Sequence, residues 1–479
     1  MTLSFRFTEE DLALFADASG DKNPLHLSAA YASRTAYGER VVFGALGACA
    51  CLGSLQIPEG MRITRITADF HRPMFLGVEY GIDAKAEDRS ASIQLLDGTV
   101  PLVTVTVTYT PGLEAHLQTP QAYFEHSTAV ERNLDDLKTG FAVSGEYCPD
   151  PSAFKAFLEK WRLTGVPFVA GALLWSSYLI GMELPGRDAL FFRLALDFDA
   201  QQGAPDRFHY NVSISRVQVQ IAQLRLAVKL NGASGSLIAF VRPRIEAAPP
   251  PRGAGSSALS GKVALVLGAS RGLGAALVNT LAHEGAKVIA VARSESSLAN
   301  SQIESEIGDA ADPKWLAELR QRIAKEYGRL DFLICNAAPP IPSLRLEQNA
   351  QTRIESYLAK ATRLVLAPFC AFLDLLDATG GCSVVVSSVA VEKPVRDWPH
   401  YVAGKGAVEG LARVAALQYP RTSTLIIRPE RLLTEMTNTP MGRQSARSPE
   451  EAAEQIVRRL FAPPAAGTTE VVVCGSGAE

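Results

Sequence analysis

The sequence predicts an α+β half followed by an α/β half built on a doubly wound parallel sheet. Residues 247–257, rich in proline and then in glycine and serine, divide the 479-residue chain into halves of similar size. Such a segment cannot bury an apolar face and is typical of a linker. Before it, one helix-and-strand pattern occurs twice. After it, strands and helices alternate, which indicates βαβ units around a parallel sheet.

Composition narrows the class of protein. The chain carries 47 basic and 50 acidic side chains and is 47% hydrophobic, so it can bury sizeable cores but offers no basic run for nucleic acid. Its longest uncharged apolar stretches, 41–53 and 364–373, are shorter than the roughly 18 residues that span a bilayer. The charged N-terminus is unlike a signal peptide. The seven cysteines are scattered without metal-ligand spacing. We therefore expect a cytoplasmic protein with no metal and no nucleic-acid or membrane partner.

The first half contains an internal repeat. Gly-Ala-Leu occurs at Gly44 and again at Gly171, and in both copies a proline follows 14 residues after the glycine. An Asp-Phe pair then follows the glycine by 25 residues in the first copy and 26 in the second. The pattern predicts helices over Gly44–Pro58 and Gly171–Pro185, each followed by strands. Two consecutive matches of this kind indicate a duplicated helix-plus-sheet unit.

A candidate acid–base pair precedes the first of these helices. Asp21 and His26 stand on either side of Asn23-Pro24, and the fixed φ of proline stiffens the turn between them. Such a turn can direct both side chains into one cleft, where each can transfer a proton. The alternative is that Asp21 only caps a turn and His26 lies on the surface.

Together with Phe7–Leu12 upstream and the Phe70–Gly77 segment downstream, these residues resemble the MaoC-like, (R)-specific enoyl-thioester hydratases of the hot-dog fold. The resemblance implies a first hot-dog repeat over 1–125 and a degenerate second repeat over 126–246. It implies that His26 takes the C2 proton of a 3-hydroxyacyl thioester and that Asp21 protonates the departing hydroxyl. Backbone N–H groups near Gly44 would bind the thioester carbonyl.

The second copy is expected to lack this chemistry. Ser144-Gly145-Glu146 is matched with Ser19-Gly20-Asp21, which puts glutamate in place of aspartate and Pro151 in place of the histidine. The second repeat is therefore expected to shape an acyl tunnel around one functional pair, with Glu146 as a weak candidate for a contribution.

The second half opens with a glycine-rich turn between a strand and a helix. Gly268, Gly272 and Gly274 have the spacing that lets a backbone approach a pyrophosphate at a helix N-terminus. Farther along, Ser388 precedes Tyr401 by 13 residues, and Tyr401 shares a helix face with Lys405. We expect the ammonium to lower the tyrosine pKa, so that Tyr401 transfers a proton near neutral pH.

These motifs resemble the short-chain dehydrogenases/reductases of the 3-oxoacyl-thioester reductase type, with a Rossmann fold over 259–479. The resemblance implies that Ser388 hydrogen-bonds the substrate carbonyl, that Lys405 also binds the nicotinamide ribose, and that Asp309 binds the adenine amine. Arginines at 271 and 293, where an acidic residue would indicate NADH, favour NADPH; the alternative is that Arg293 is only a solvated charge. The implied cofactor-binding residues are Gly268, Ser270, Arg271, Gly272, Leu273, Gly274, Arg293, Ser294, Asp309, Asn336, Ala337, Tyr401 and Lys405.

The second half departs from this family's pattern in places. Cys335 and Ala338 flank Asn336-Ala337 where the family has asparagine and glycine, and Pro429-Glu430 stands for proline-glycine. Residues 355–362 contain no asparagine for the family's proton relay. The alternative that the second half binds a nucleotide without catalysing a reaction therefore remains.

Joined by a linker at 247–258, the halves predict a bifunctional ketoreductase and dehydratase for acyl thioesters carried by coenzyme A or acyl carrier protein, in fatty-acid-like or polyketide-like biosynthesis. Two alternatives remain: hydration followed by NAD-dependent oxidation, and a partly non-catalytic scaffold that binds acyl carriers. The second resemblance also implies a homodimer or homotetramer through the reductase half.

Overall fold

The computed structural model describes residues 3–113, 117, 128–199, 206–242, 245, 255–294, 298, 300–439 and 442–475. The chain divides into two compact units, Met1–Arg244 with Thr439–Met441, and Ile245–Asn438 with Gly442–Glu479. Most of the expected linker, 247–258, lies outside the described residues. The boundary at 125/126 lies there as well.

The first unit is built on an antiparallel sheet of ten strands among its described residues. The elements of its first part are β1 (Leu3–Arg6), α1 (Glu9–Ser19), α2 (Pro24–Leu27), α3 (Ala29–Ala32), α4 (Gly44–Gly53), β2 (Met61–Phe70), β3 (Glu79–Ala86), β4 (Ser90–Asp97) and β5 (Val100–Pro111). Those of its second part are β6 (Ala142–Tyr147), α5 (Pro151–Lys160), α6 (Pro167–Tyr178), β7 (Ala189–Phe198), β8 (Phe208–Gln218), β9 (Gln223–Leu230) and β10 (Ala233–Val241).

The strand order of this sheet is β1-β3-β4-β5-β2-β7-β10-β9-β8-β6. It is symmetric about its centre, because corresponding strands of the two repeats lie at equal distances from it. Each repeat contributes five strands, and β2 pairs with β7 at the centre, with Arg65 opposite Asp197. The two Asp-Phe pairs end β2 and β7. Helices α4 and α6 pack together, and nearly all their residues are buried, as expected for helices that are apolar on every side. Each repeat thus has a central helix and a five-stranded sheet, a double hot dog.

The predicted helix boundaries in this unit are partly wrong. Helix α4 ends at Gly53 instead of Pro58, at a point where a Cβ on Gly53 would lie 1.9 Å from the Trp161 carbonyl oxygen of the second repeat. Helix α6 begins at Pro167, before Gly171. Proline is favoured at the first helical position because its missing N–H is not needed there. A π-helical turn, Leu179–Glu183, follows α6.

The predicted match of Ser144-Gly145-Glu146 with Ser19-Gly20-Asp21 is also wrong. These residues lie in β6, which is the counterpart of β1, and α5 is the counterpart of α1. In the first repeat, residues 20–43 separate α1 from α4, whereas residues 161–166 alone separate α5 from α6. The second repeat therefore lacks the segment that carries Asp21 and His26, instead of holding a substituted copy of it.

The second unit has a parallel sheet of seven described strands in the order β13-β12-β11-β14-β15-β16-β17. Buried clusters form on both of its faces, which confirms the doubly wound Rossmann-like fold. Apolar runs in the sequence predict four of these strands, at 262–268, 287–291, 330–335 and 382–387, and each agrees with the observed strand to within two residues. The elements are β11 (Val263–Leu267), α7 (Gly272–His283), β12 (Lys287–Ala292), β13 (Ile303–Ile307), α8 (Pro313–Glu326), β14 (Phe332–Cys335), α9 (Gln351–Thr379), β15 (Cys382–Val386), α10 (Pro399–Gln418), β16 (Ser423–Pro429), α11 (Pro449–Phe461) and β17 (Thr469–Cys474).

Candidate active sites

Asp21 lies in the interior of the first unit, immediately after α1. Gly20 follows the last residue of α1 and ends the helix with a left-handed φ of 70°, and Asp21 is 1% exposed. Its Oδ1 accepts from the Asn23 backbone N–H at 3.0 Å, and its Oδ2 accepts from Ser177 Oγ at 2.7 Å. Burial nevertheless raises the pKa of Asp21 to about 7, because water no longer solvates the charged form.

His26 is presented by the short helix α2, which Asn23 caps and Pro24 begins. Its Nδ1 lies 2.8 Å from the Val41 carbonyl oxygen. That atom can only accept, so Nδ1 carries the proton and Nε2 keeps its lone pair. Burial lowers the pKa of His26 to about 4. At neutral pH the imidazole is therefore an uncharged base.

Helix α4 begins beside this imidazole. The Phe43 ring packs against His26 with ring centroids 3.9 Å apart, and Phe43 directly precedes Gly44, the first residue of α4. The first N–H groups of a helix have no acceptor within it. The structure therefore places the expected donor next to the expected base.

The second repeat holds the segment of Asp21 and His26 in place. Asn23 Nδ2 donates to the Gly181 carbonyl oxygen at 2.8 Å, and the Lys22 N–H lies 3.2 Å from Met182 Sδ. A Cβ on Gly181 would lie 2.6 Å from Asp21 Oδ1, so the carboxylate packs directly on a glycine backbone. The sequence analysis did not single out Ser177, which lies on α6, or Gly181, which lies in the π-helical turn after it. The Ser176-Ser177 interruption of the apolar run of α6 was the available signal.

A second contact between the repeats lies just beyond His26. The Tyr31 hydroxyl, on α3, donates to Asp188 Oδ1 at 2.8 Å and accepts from Arg242 Nη2 at 3.1 Å. Asp188 precedes β7 and Arg242 follows β10. By contrast Glu146 lies on β6, where its carboxylate pairs with Arg207 and faces His209. Glu146 therefore has no place in this site.

The glycine-rich turn of the second unit lies between β11 and α7. Gly268 has a φ of +86°, and a Cβ there would lie 2.7 Å from the Ala337 nitrogen. A Cβ on Gly274 would lie 1.9 Å from the Gly268 carbonyl oxygen, which accepts from Asn336 Nδ2 at 2.8 Å. These glycines therefore allow three chain segments to meet at the start of α7.

This arrangement fits the pyrophosphate of a nicotinamide dinucleotide, because N–H groups at a helix N-terminus favour an anion. Ser270 and Arg271 precede the helix, Gly272 begins it, and Leu273 is a buried residue of its first turn. Arg293 and Ser294 are exposed just after β12. Asp309 is exposed after β13, where its Oδ1 accepts from the Ala311 N–H at 2.9 Å. Among the described residues, no group of three or more histidine, cysteine or acidic side chains could hold a metal ion.

Ser388, Tyr401 and Lys405 come together beyond the end of β15. Tyr401 and Lys405 lie one turn apart on α10, with the ammonium 5.8 Å from the ring centroid. Lys405 Nζ donates to the Val386 carbonyl oxygen at 2.6 Å, and burial lowers the pKa of Lys405 to about 8. The structure thus brings these three predicted residues into one site.

The expected lowering of the tyrosine pKa is wrong for this structure. Burial raises the pKa of Tyr401, and a hydrogen bond with Ser388 only partly opposes it. Where the family's asparagine was expected, α9 carries the buried Tyr357, whose ring lies edge-on to His400 at 4.4 Å. Tyr401 is therefore a protonated side chain in an enclosed site.

Two protein families match this chain. A model of MaoC-like domains matches residues 2–107, and a model of short-chain dehydrogenases matches residues 262–450. The 3-oxoacyl-[acyl-carrier-protein] reductase of Escherichia coli is 28% identical over 190 residues, 37% of this chain and 76% of that enzyme. The 7alpha-hydroxysteroid dehydrogenase of Clostridium sardiniense is 31% identical, covering 34% of this chain and 67% of that enzyme. An uncharacterised oxidoreductase of Mycobacterium tuberculosis is 28% identical, covering 43% and 82%.

Proposed function

The chain belongs, through its second unit, to the short-chain dehydrogenase family and carries a MaoC-like domain in its first, and from that premise we propose a bifunctional 3-oxoacyl-thioester reductase and 3-hydroxyacyl-thioester dehydratase. One observation carries the proposal: the Ser388–Tyr401–Lys405 site suits carbonyl reduction, and the Asp21–His26 pair suits loss of water from the alcohol so formed. The product of one site is the substrate of the other. Joining the sites in one chain raises the effective concentration of that intermediate.

In reduction, bound NADPH would supply the hydride to C3 of the 3-oxoacyl group. Ser388 hydrogen-bonds the C3 carbonyl oxygen, and Tyr401 donates its proton to that oxygen as charge develops there. The raised pKa of Tyr401 supports this direction, because a protonated tyrosine is an acid. Arg271 and Arg293 would meet the 2′-phosphate that distinguishes NADPH from NADH.

In dehydration, His26 Nε2 takes a proton from C2 while Asp21 protonates the hydroxyl leaving C3, so that water departs and a C2–C3 double bond forms. The pKa values of about 4 for His26 and about 7 for Asp21 leave a base unprotonated and an acid protonated over the same pH range, the separation that such a pair needs. The Gly44 N–H would stabilise charge on the thioester oxygen, a contribution of about 3 kcal/mol for one such donor.

A product-mass experiment tests the proposal. Purified protein is incubated with NADPH and a 3-oxoacyl group on coenzyme A or on acyl carrier protein, and the acyl mass is followed. We expect a gain of two hydrogens followed by loss of water. Tyr401→Phe should stop the first step but still dehydrate a supplied 3-hydroxyacyl thioester, whereas His26→Ala should accumulate that alcohol.

Three other outcomes of this experiment would contradict the proposal. Failure of the wild-type protein to reduce the thioester on either carrier would contradict the reductase assignment. A clear preference for NAD⁺ and for oxidation of the 3-hydroxyacyl thioester would favour the reverse sequence, hydration and then oxidation. Unchanged product formation by both variants would exclude these residues from the chemistry.

A further inference from the structure

Helix α10 carries a third polar residue in line with the two catalytic ones. Tyr401, Lys405 and Glu409 are spaced four residues apart, and residues at this spacing share a helix face. Glu409 is 2% exposed, so its carboxylate is buried one helical turn beyond Lys405. The chemistry described above leaves it without a role.

The Glu409 carboxylate binds two strands of the sheet. Its Oε1 accepts from Ser387 Oγ and from Arg428 Nε, both at 2.7 Å, and its Oε2 accepts from Arg428 Nη2 at 2.7 Å. Arg413 Nη1 also reaches Oε2, at 3.3 Å. Arg428 is 9% exposed and lies on β16, whereas Ser387 follows β15. The bidentate ion pair with Arg428 and the hydrogen bond from Ser387 therefore hold α10 at the carboxyl ends of β16 and β15.

This anchoring point lies inside the reductase site. Ser387 is preceded by Val386, whose carbonyl oxygen accepts from Lys405 Nζ at 2.6 Å, and it is followed by Ser388. Movement of Ser387 would therefore displace both a partner of Lys405 and a residue that binds the substrate. Replacing a buried ion pair with apolar groups is often neutral for stability, so stability alone gives no reason for a charge here.

Glu409 is also the charged group that acts on Lys405. Burial lowers the pKa of Lys405 to about 8, and the carboxylate of Glu409 opposes that effect. For Glu409 itself, burial opposes ionisation, but hydrogen bonds from Arg428 and Ser387 bring its pKa below the ordinary value. The titratable and charged groups around Lys405 and Glu409 are Tyr401, His400 and Arg413 on α10, Tyr357 on α9, Arg428 on β16 and Glu392 after β15.

We propose that Glu409 is a positioning residue for the reduction: anchored by Arg428 and Ser387, its carboxylate keeps Lys405 an ammonium and holds it against the end of β15. The inference rests on the proposed reductase activity. Glu409 acts through Lys405 and Ser388 and touches no substrate atom.

The test compares Glu409→Gln with Glu392→Gln. Glu392 also pairs with Arg428, but its side chain is 58% exposed and is not among the groups that shift the pKa of Lys405, so it serves as the matched control. Two quantities are measured between pH 6 and 9: kcat/KM for NADPH-dependent reduction, and the NADPH dissociation constant from nucleotide fluorescence. In the wild type both should deteriorate as Lys405 loses its proton above about pH 8.

For Glu409→Gln we expect this deterioration at a pH lower by about one unit, in both the rate and the binding profile. The Glu392→Gln profiles should coincide with those of the wild type. Coincidence of the Glu409→Gln profiles with the wild type would overturn the proposal, because a purely structural role would alter stability without moving a titration.

A double variant keeps the proposal testable if Glu409→Gln does not fold. Glu409→Gln leaves the Arg428 guanidinium without its buried carboxylate partner, which is costly, whereas Glu409→Gln combined with Arg428→Met removes both charges of the buried pair. The double variant should fold, as judged by circular dichroism, and keep the shifted binding profile. If the wild type reduces no 3-oxoacyl thioester, the proposed function fails, whereas the pH dependence of NADPH binding still decides the role of Glu409.

Discussion

At the scale of single residues, burial in the first unit shifts the pKa values of two titratable side chains in opposite directions. Burial disfavours the charged form of each, so the pKa of Asp21 rises to about 7 while that of His26 falls to about 4. The Asp21 carboxylate accepts hydrogen bonds from Ser177 Oγ and from the Asn23 N–H, and His26 Nδ1 donates to the Val41 carbonyl oxygen. The enclosure therefore favours a protonated Asp21 and an unprotonated His26, the two states that the proposed dehydration needs.

Dehydration should accordingly fall as the pH rises through about 7, because Asp21 then loses the proton that it gives to the leaving hydroxyl. Ser177 stabilises the carboxylate, so Ser177→Ala should move this fall to higher pH. The measurement is the pH dependence of kcat/KM for a 3-hydroxyacyl thioester. Ser176→Ala is the control, because Ser176 Oγ donates to the Leu173 carbonyl oxygen of its own helix at 2.7 Å and not to Asp21. Equal profiles for Ser177→Ala and the wild type would contradict the role given to Ser177.

Asp21 should also lower the stability of the first unit at alkaline pH. Its pKa rises from 3.8 to about 7 on folding, so the folded state holds a proton that the unfolded state releases. The associated stability is fully present below about pH 4 and lost as the pH rises through 7, a total of about 4 kcal/mol. Asp21→Asn should therefore raise the free energy of unfolding at pH 8 and much less at pH 5, as measured in urea. An equal gain at both pH values would show that ionisation is not the cause.

At the scale of elements, the junction of β11 and α7 depends on close approach of backbone atoms. A Cβ on Gly274 would lie 1.9 Å from the Gly268 carbonyl oxygen, so the start of α7 can meet the turn only without a side chain. The same turn contacts Asn336 and Ala337 after β14. The turn after β11, the start of α7 and the segment after β14 are therefore held together at the proposed pyrophosphate site.

Gly274→Ala should weaken NADPH binding by at least about tenfold, because the helix N-terminus must move away from the turn. Gly410→Ala is the control: Gly410 lies in α10, and among the described residues no atom beyond its chain neighbours and the nearby backbone of its own helix would lie within 4 Å of a Cβ there. Alanine also suits a helix better than glycine does. NADPH fluorescence titration measures both variants. Equal affinity of Gly274→Ala and the wild type would contradict the cofactor site.

At the scale of the whole molecule, the described residues form separate apolar cores. One buried cluster lies within 7–241, and two others lie within 259–474, one on each face of the parallel sheet. The proposed NADPH site is contained in the second unit. A ligand stabilises only the cooperative unit that binds it.

We therefore expect NADPH to raise the midpoint of one thermal transition and to leave the transition of the first unit unchanged. Differential scanning calorimetry with and without NADPH measures both. Gly274→Ala should remove the shift. An upward shift of both transitions, or of neither, would contradict independent unfolding with cofactor bound only in the second unit.

The sequence alone identified both fold classes, and it singled out Asp21, His26, the glycine turn, Ser388, Tyr401 and Lys405 as candidate site residues. It could do so because those patterns are local: a proline-stiffened turn, a strand–turn–helix junction and one helix face are each defined within a few residues. The internal repeat was equally readable, since matching helix and strand patterns recur at fixed spacing.

Only the tertiary structure decided what surrounds those residues. Ser177 and Gly181 reach Asp21 across more than 150 positions, through the pairing of β2 with β7 and the packing of α4 on α6. The alignment of Glu146 with Asp21 was wrong because spacing along the chain does not reveal that the second repeat has six residues between α5 and α6. The pKa directions of Asp21, His26 and Tyr401, and the link between Glu409 and Arg428, depend on burial and on contacts distant in sequence, which arise only when the chain folds.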